Sequence, residues 1–138
     1  MMAFTGKKER GSGNAIPERE DLDRAYQWAL EDLFEDRPQW ERAFEETGPL
    51  MNSLEAFGGT LASSPSRLLE CLKLRDRLGE LTSRVYAYAH MKSHEDTRDP
   101  DGQAIAARAT TLAAAAARSG AFITPEILSI PEETLALF

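Results

Sequence analysis

Residues 85–100 read VYAYAHMKSHEDTRDP, and this stretch decides the fold. Its first part continues an apolar helical pattern, which is expected to end near His94. The residues EDTRD at 95–99 interrupt the pattern, and Asp99-Pro100 supplies an N-cap followed by proline at the first helical position. A long helix, about five connecting residues and a new helix predict an antiparallel helical hairpin.

The two long helices each carry an apolar seam. Ser64-Pro65 predicts the start of the first helix by the same capping rule. Apolar residues then recur every three or four positions along it, as they do along the second helix, which predicts that the two helices pack together. The seam residues are Cys71, Leu74, Leu78, Leu81, Val85 and Tyr88 on the first helix, and Ile105, Ala109, Leu112 and Ala116 on the second. Small residues at 113–117 allow the backbones to approach closely.

A shorter helix is expected before the hairpin. Asp36 is a good N-cap and Gln39 completes the capping-box spacing, so this helix is expected to begin near Arg37. Gly48-Pro49 is expected to kink or interrupt it, because proline lacks an amide donor and clashes with the preceding turn. Gly58-Gly59 is expected to end it.

The remaining segments complete an all-α prediction. Residues 26–40, YQWALEDLFEDRPQW, have irregular apolar spacing that indicates a loop or short turn. Thr124-Pro125 and Ile130-Pro131 are expected to restart short helices, and no window alternates at a period of two. We therefore predict two long antiparallel helices with shorter flanking helices in one unit, 21–138, after a flexible, disordered leader at 1–20.

Composition narrows the class of protein. The 138 residues are 42% hydrophobic and 28% charged, which is typical of a globular domain and argues against a membrane span. A net charge of −7 and the lack of a Lys/Arg cluster argue against a nucleic-acid partner. The single cysteine cannot form an intramolecular disulfide, and no signal-peptide pattern follows the N-terminal basic residues, so a cytoplasmic protein is expected.

His90 and His94 form the most tempting candidate site. Histidines four residues apart on a helix lie on the same face, which is the geometry that zinc ligation uses in HExxH. That motif needs a glutamate directly after the first histidine to activate the zinc-bound water, and Met91 occupies this place. No recognisable third ligand follows, so two partly exposed surface histidines are the favoured interpretation.

Cys71, two tyrosines and a Gly-Gly pair are the other candidates for a role in chemistry or binding. Cys71 lies on the apolar seam, where a thiol acts as a small hydrophobe with a high pKa, so core packing is favoured over nucleophilic catalysis. Tyr88 also joins the seam, whereas Tyr86 lies off it and could face a neighbouring domain or a peptide channel. Gly58-Gly59 is followed by no GK[ST] and does not form a phosphate loop. We therefore predict no catalytic, cofactor-binding or metal-binding residue in the chain.

Four blocks of sequence resemble the N-terminal region of the oligoendopeptidase F family of zinc metallopeptidases. They are YQWALEDLFEDRPQWERAF at 26–44, FGGTLASSPSRLLECL at 57–72, VYAYAHMKSHEDTRDPDGQAIAARATTL at 85–112 and AFITPEILSIPEETLALF at 121–138. The likeness covers about residues 22–138, and the block at 85–112 is its most specific part. Gly48-Pro49 departs from what is a more continuous helix in relatives.

The resemblance implies a non-catalytic role for this chain. In the family, this region forms a helical wall of a deep channel that admits short peptides, and zinc is held by HExxH in a separate catalytic domain. No position here matches those ligands. The implied partner is the catalytic domain of the same polypeptide, which the apolar residues of 28–30 and 127–128 would face. The alternative is an independent helical interaction or oligomerisation module; a small metal enzyme that uses His90 and His94 is disfavoured.

Overall fold

Helices make up the regular structure of residues 17–138, the part of the chain that the computed structural model describes. They are α1 (Arg37–Glu55), α2 (Pro65–Glu95), α3 (Pro100–Ser119), α4 (Ile123–Ser129) and α5 (Glu132–Leu135). Single 3-10 turns lie at Arg19–Asp21, Arg24–Tyr26 and Leu30–Asp32 before α1, and at Leu61–Ser63 between α1 and α2. No strand occurs in this range, so the predicted all-α class is confirmed.

The predicted hairpin is formed by α2 and α3. Ser64 Oγ accepts a hydrogen bond from the Arg67 amide at 3.1 Å, and the Asp99 carboxylate accepts one from the Asp101 amide at 3.0 Å, so both predicted N-caps are confirmed. The backbones nearly touch beside the loop, because a Cβ added at Gly102 would lie 3.2 Å from Ser93 Cα. None of the helices described is long and apolar enough to cross a lipid bilayer.

Helix α1 begins as predicted but is not interrupted. The Asp36 carboxylate accepts from the Gln39 amide at 2.8 Å, while the Gln39 side-chain oxygen accepts from the Glu35 amide at 2.6 Å. The expected break at Gly48-Pro49 is wrong, since α1 runs through Pro49 as one helix. Pro49 is exposed, so its ring faces solvent, where helix carbonyls tilt outward and a missing bond is tolerated. Buried residues on both sides of Pro49 anchor the two halves of the helix, which stays one element.

One core cluster joins α1 to the hairpin. Its buried members are Leu30, Phe34, Trp40, Ala43, Val85, Tyr88, Ala89, Ile105, Ala109 and Leu112. Trp40 is fully buried, and its indole Nε1 donates to the Val85 carbonyl oxygen at 2.9 Å. Its ring packs against Phe44, with centroids 5.3 Å apart, and against Tyr88. The indole therefore fixes the position of α1 on α2 by a directional bond as well as by burial.

A second core cluster lies under α4 at the other end of the hairpin. It contains Leu54, Phe57, Leu61, Cys71, Leu78, Ile123 and Ile130. Glu126 on α4 accepts hydrogen bonds from the Gly59 and Leu61 amides, each at 2.8 Å. Gly59 has a φ of +76°, which favours glycine, so the turn after α1 directs its amides toward α4. Carboxylate bonds to two backbone amides hold this connection in place.

The segment before α1 lies against the loop of the hairpin. The leader predicted for 1–20 lies mostly outside the described residues, which begin at position 17. Within the described part, Arg19 forms an ion pair with Glu95 at the end of α2, and Glu18 contacts Arg98 in the loop at 2.6 Å. Residues 17–20 are therefore held against the hairpin. The predicted loop at 26–40 is confirmed up to residue 36, since that part consists of short turns, whereas residues 37–40 form the first turn of α1.

Ion pairs of Glu41 link α1 to α3, and they predict that the stability of the fold decreases at low pH. Glu41 contacts Arg37 at 2.8 Å and Arg108 at 2.7 Å, and the Arg108 hydrogen bond above all lowers the pKa of Glu41 to about 2. A lowered pKa means that the stabilisation is present above about pH 4.5, the ordinary value, and is lost as the pH falls toward about 2. Because the pair is partly exposed, we expect Glu41→Gln to cost about 1 kcal/mol at pH 7.

Thermal unfolding of both proteins between pH 7 and pH 2 checks this prediction. The Tm difference between wild type and Glu41→Gln should shrink steadily below pH 4.5 and vanish near pH 2. Glu80→Gln is a control, since Glu80 is an exposed glutamate. A difference between wild type and Glu41→Gln that is constant over the whole range would show that Glu41 acts through packing rather than charge.

Candidate functional site

The histidine pair lies on one face of α2, as predicted. His90 Nε2 is 3.1 Å from Thr110 Oγ1 on α3, and the Thr110 hydroxyl donates to the Ala106 carbonyl at 2.9 Å. The Thr110 hydroxyl therefore lies within hydrogen-bonding distance of both the His90 ring and a carbonyl of its own helix. The His90 and His94 ring centroids are 6.3 Å apart and nearly perpendicular. Nε2 of His90 is therefore already engaged by a protein partner.

The surroundings of the pair do not complete a metal site. Within residues 17–138, no three His, Cys, Asp or Glu side chains lie close enough together to hold a metal ion. The nearby Glu95 forms ion pairs with Lys92 at 3.0 Å and with Arg19. These contacts support the interpretation of His90 and His94 as surface side chains. The absence of any catalytic or metal-binding residue stays a prediction.

Cys71 lies where the seam predicted it. The side chain is fully buried in the second core cluster, between α2 and the turn at Leu61–Ser63. Burial raises the pKa of the thiol, with a further contribution from the Glu126 carboxylate. A protonated, inaccessible thiol is a poor nucleophile. Cys71 therefore packs the core, as expected.

The two tyrosines of α2 have different surroundings. Tyr88 is buried and packs edge-on against Phe34, with ring centroids 5.6 Å apart. Tyr86 is 39% exposed, and its ring stacks on His90 with a centroid separation of 4.0 Å. Tyr86, His90 and His94 thus form a continuous row along one face of α2, in which Tyr86 and His94 are exposed and His90 is half-buried. Aromatic and imidazole faces of this kind are suited to contact with another chain.

A groove between α2 and α3 lies on the same side of the hairpin as the row of Tyr86, His90 and His94. We call it the hairpin groove; it encloses about 320 Å³, and its wall includes Leu78, Gly79, Thr82, Ala113, Ala116 and Ala117. Small side chains on both helices leave this space open, and a Cβ added at Gly79 would meet no heavy atom within 4 Å. Thr82 is more than nine-tenths buried, and its hydroxyl has no hydrogen-bond partner among the residues described.

Sequence reasoning did not identify the hairpin groove. The run of alanines at 113–117 was interpreted as allowing close approach of two backbones. In the structure Ala113 and Ala117 border an open groove, and a close approach of the two backbones is seen at Gly102. Gly79 is the residue from which the groove could have been predicted. It lies inside α2 without ending the helix, and a glycine in that position often has a packing reason.

The surface that the resemblance predicted for 28–30 and 127–128 is only partly exposed. Trp28 is 48% exposed and Leu128 is 80% exposed, whereas Leu30 is buried in the first core cluster and Ile127 packs against the second. Tyr26 and Leu22, in the segment before α1, are also exposed. Exposed apolar side chains also occur on α2, at Leu69 and Tyr86, and within residues 135–138. Single exposed apolar residues are common in proteins, so Trp28 and Leu128 are distinguished only by lying in the segments that the resemblance named.

Three bacterial peptidases are similar to almost the whole chain. Oligopeptidase PepF of Bacillus subtilis (strain 168) is 35% identical over 130 residues, which are 94% of this chain and 19% of the relative. Group B oligopeptidase PepB of Streptococcus agalactiae serotype III (strain NEM316) is 31% identical over 87% of this chain and 20% of its own length. The chromosomal oligoendopeptidase F of Lactococcus lactis subsp. cremoris is 29% identical over 86% and 20%.

The chain spans about one fifth of the length of these curated relatives. No protein-family model matches it, and no solved structure does. By its fold, the chain belongs to the class of all-helical units with exposed apolar surfaces. No metal site is assembled among the residues that the structure describes. The similarity then identifies the chain as a member of the oligoendopeptidase F family, as the resemblance to the N-terminal region of that family predicted.

Proposed function

We propose that the chain forms one wall of the peptide-binding channel of an oligoendopeptidase F-type zinc metallopeptidase in the cytoplasm. The observation that supports this most directly is the match of 94% of the chain to only 19% of a bacterial oligopeptidase. The sequence contains no HExxH. Zinc binding and hydrolysis of short peptides therefore belong to the remainder of the polypeptide, and this chain alone has no peptidase activity.

The exposed surfaces are consistent with this role. The row formed by Tyr86, His90 and His94 offers aromatic and polar groups that can contact a peptide, whereas Trp28 and Leu128 offer apolar contacts to a neighbouring domain. A wall needs both kinds of surface, because it contacts substrate as well as the neighbouring domain. Substitutions in either surface would affect the binding of substrate rather than the chemistry at the metal.

Activity of the longer polypeptide tests this proposal. The coding region is sequenced past the codon for Phe138, the whole reading frame is expressed, and hydrolysis of internally quenched short peptides is measured for it and for residues 1–138. We expect an HExxH motif in the continued frame and hydrolysis by the whole polypeptide that a chelator abolishes and zinc restores. Residues 1–138 should show none.

Two results would contradict the proposal. One is a continued reading frame that encodes no metallopeptidase motif. The other is zinc-dependent hydrolysis by residues 1–138 that disappears when both His90 and His94 are replaced by alanine. The second result would make the histidine pair a metal site, in spite of the bond between His90 and Thr110.

An independent helical interaction module is the second candidate. It is supported by the two core clusters, each of which joins buried residues from several helices and turns of this chain. A monodisperse protein that unfolds cooperatively would favour this function when no metallopeptidase frame follows. Self-association through the exposed apolar residues when the piece is expressed alone would favour the channel wall.

A further inference from the structure

We propose that the hairpin groove is the docking site for an apolar helix from the part of the polypeptide that carries the peptidase activity. This inference rests on the proposed function and names the surface through which the wall attaches. About four fifths of each relative lies outside the matched region, and under the proposed function a portion of this size would supply the helix. The proposal concerns the groove residues, not the row of Tyr86, His90 and His94.

The shape of the groove suits two large apolar side chains. An apolar cavity of about 150 Å³ holds a benzene ring, and the hairpin groove encloses about 320 Å³. Two apolar residues three or four positions apart on one helix would project into it together. Gly79 on one side and Ala117 on the other let the backbone of the incoming helix approach closely.

Thr82 is an independent indication that the groove is completed by another segment. It lines the groove and is more than nine-tenths buried, yet its hydroxyl has no hydrogen-bond partner among the described residues. Buried hydroxyls are normally paired, because an unpaired one loses its bonds to water without replacement. The other buried hydroxyls, those of Thr47, Ser93 and Ser119, each donate to a carbonyl of their own helix. A polar atom on the docked helix would pair with Thr82.

Thiol labelling at Gly79 measures whether the groove is covered. A Cβ at position 79 meets no heavy atom within 4 Å, so Gly79→Cys should fold normally in the chain alone and react readily with a maleimide. Glu70→Cys is the matched control, since Glu70 is exposed and lies nine residues away, on the opposite face of α2. The native Cys71 is fully buried and contributes little background.

Labelling is compared between residues 1–138 and the whole polypeptide. We expect Gly79→Cys to react at least about tenfold more slowly in the whole polypeptide, while Glu70→Cys reacts at similar rates in both, because docking must open before the thiol is reached. Equal labelling of Gly79→Cys in a whole polypeptide that hydrolyses peptides would overturn the docking site and leave the proposed function intact.

Other occupants give different outcomes. Protection of Gly79→Cys in residues 1–138 that grows with protein concentration would assign the groove to a second copy and overturn the proposal. A reading frame without a peptidase portion would remove both the proposed function and the docked helix. A whole polypeptide that protects position 79 but hydrolyses no peptide would uphold the docking site and contradict the function alone.

A bulky substitution gives a second test. Gly79→Trp should fill the groove without a clash in the chain alone, whereas Gly79→Ala should raise the Tm of the chain by about 4 °C, because alanine is the better helix former. In the whole polypeptide, Gly79→Trp should lower peptide hydrolysis about tenfold or more, since it displaces the docked helix and misplaces the wall by ångströms. Hydrolysis equal to that of Gly79→Ala would overturn the proposal.

Discussion

Replacement of Trp40 by alanine is expected to lower the free energy of unfolding by about 3–5 kcal/mol. The indole is fully buried, stacks with Phe44 and Tyr88, and donates a hydrogen bond from Nε1 to the Val85 carbonyl. Its removal leaves a cavity between α1 and the hairpin. Domains of this size are stabilised by about 5–15 kcal/mol, so the variant loses a large share of its stability.

Denaturant unfolding followed by far-UV circular dichroism measures this loss. Trp28→Ala is the matched control, because Trp28 is 48% exposed and lies outside both core clusters, so its removal should change the stability of the chain by less than about 0.5 kcal/mol. Trp40→Phe keeps an aromatic ring but loses the bond to Val85, and it should be intermediate. Equal losses for the Trp40→Ala and Trp28→Ala variants would contradict the role given to Trp40.

The hairpin could be predicted because its signals are local. Ser64 and Asp99 cap their helices through bonds to amides two or three residues away, and prolines at 65 and 100 fix the first turns. The seam then identifies the buried faces of both helices. Helix caps and apolar periodicity depend on short stretches of sequence, so the helices they define can be predicted without knowledge of the neighbouring elements.

The continuity of α1 could not be predicted in the same way. A proline at position 49 removes one amide donor, and the local rule counts only that loss. In the fold, Thr47 and Leu54 are buried on opposite sides of the proline, while Pro49 itself is exposed. Packing of both halves outweighs one missing bond, and this depends on residues of α2 and α3 that are remote in sequence.

In the candidate site, too, some features could be predicted from local sequence and others could not. Met91 was enough to argue from sequence against an HExxH arrangement at His90 and His94. The bond from His90 to Thr110 links residues twenty positions apart, so only the fold could reveal it. The hairpin groove likewise exists because small residues of two helices face each other, and neither helix alone contains the signal.

Replacement of Leu61 by alanine is expected to lower the free energy of unfolding by about 2–5 kcal/mol. Leu61 is fully buried in the second core cluster, between α2 and α4. Its turn is fixed by the bond from its own amide to Glu126, so the surroundings cannot easily collapse into the space. A site that relaxes little retains its cavity, which places the cost toward the upper part of the range.

The Leu61→Ala variant also tests whether the two core clusters unfold together. Met51 packs against both clusters, and α2 runs through both, so we expect one cooperative transition. Trp40 fluorescence reports on the first cluster, yet its midpoint should shift with the circular dichroism midpoint when Leu61, in the second, is truncated. Leu128→Ala removes the same atoms from a residue that is 80% exposed and should shift neither. If only the circular dichroism midpoint moved, the clusters would be separate folding units, and α4 could detach from the hairpin while the first cluster stayed folded.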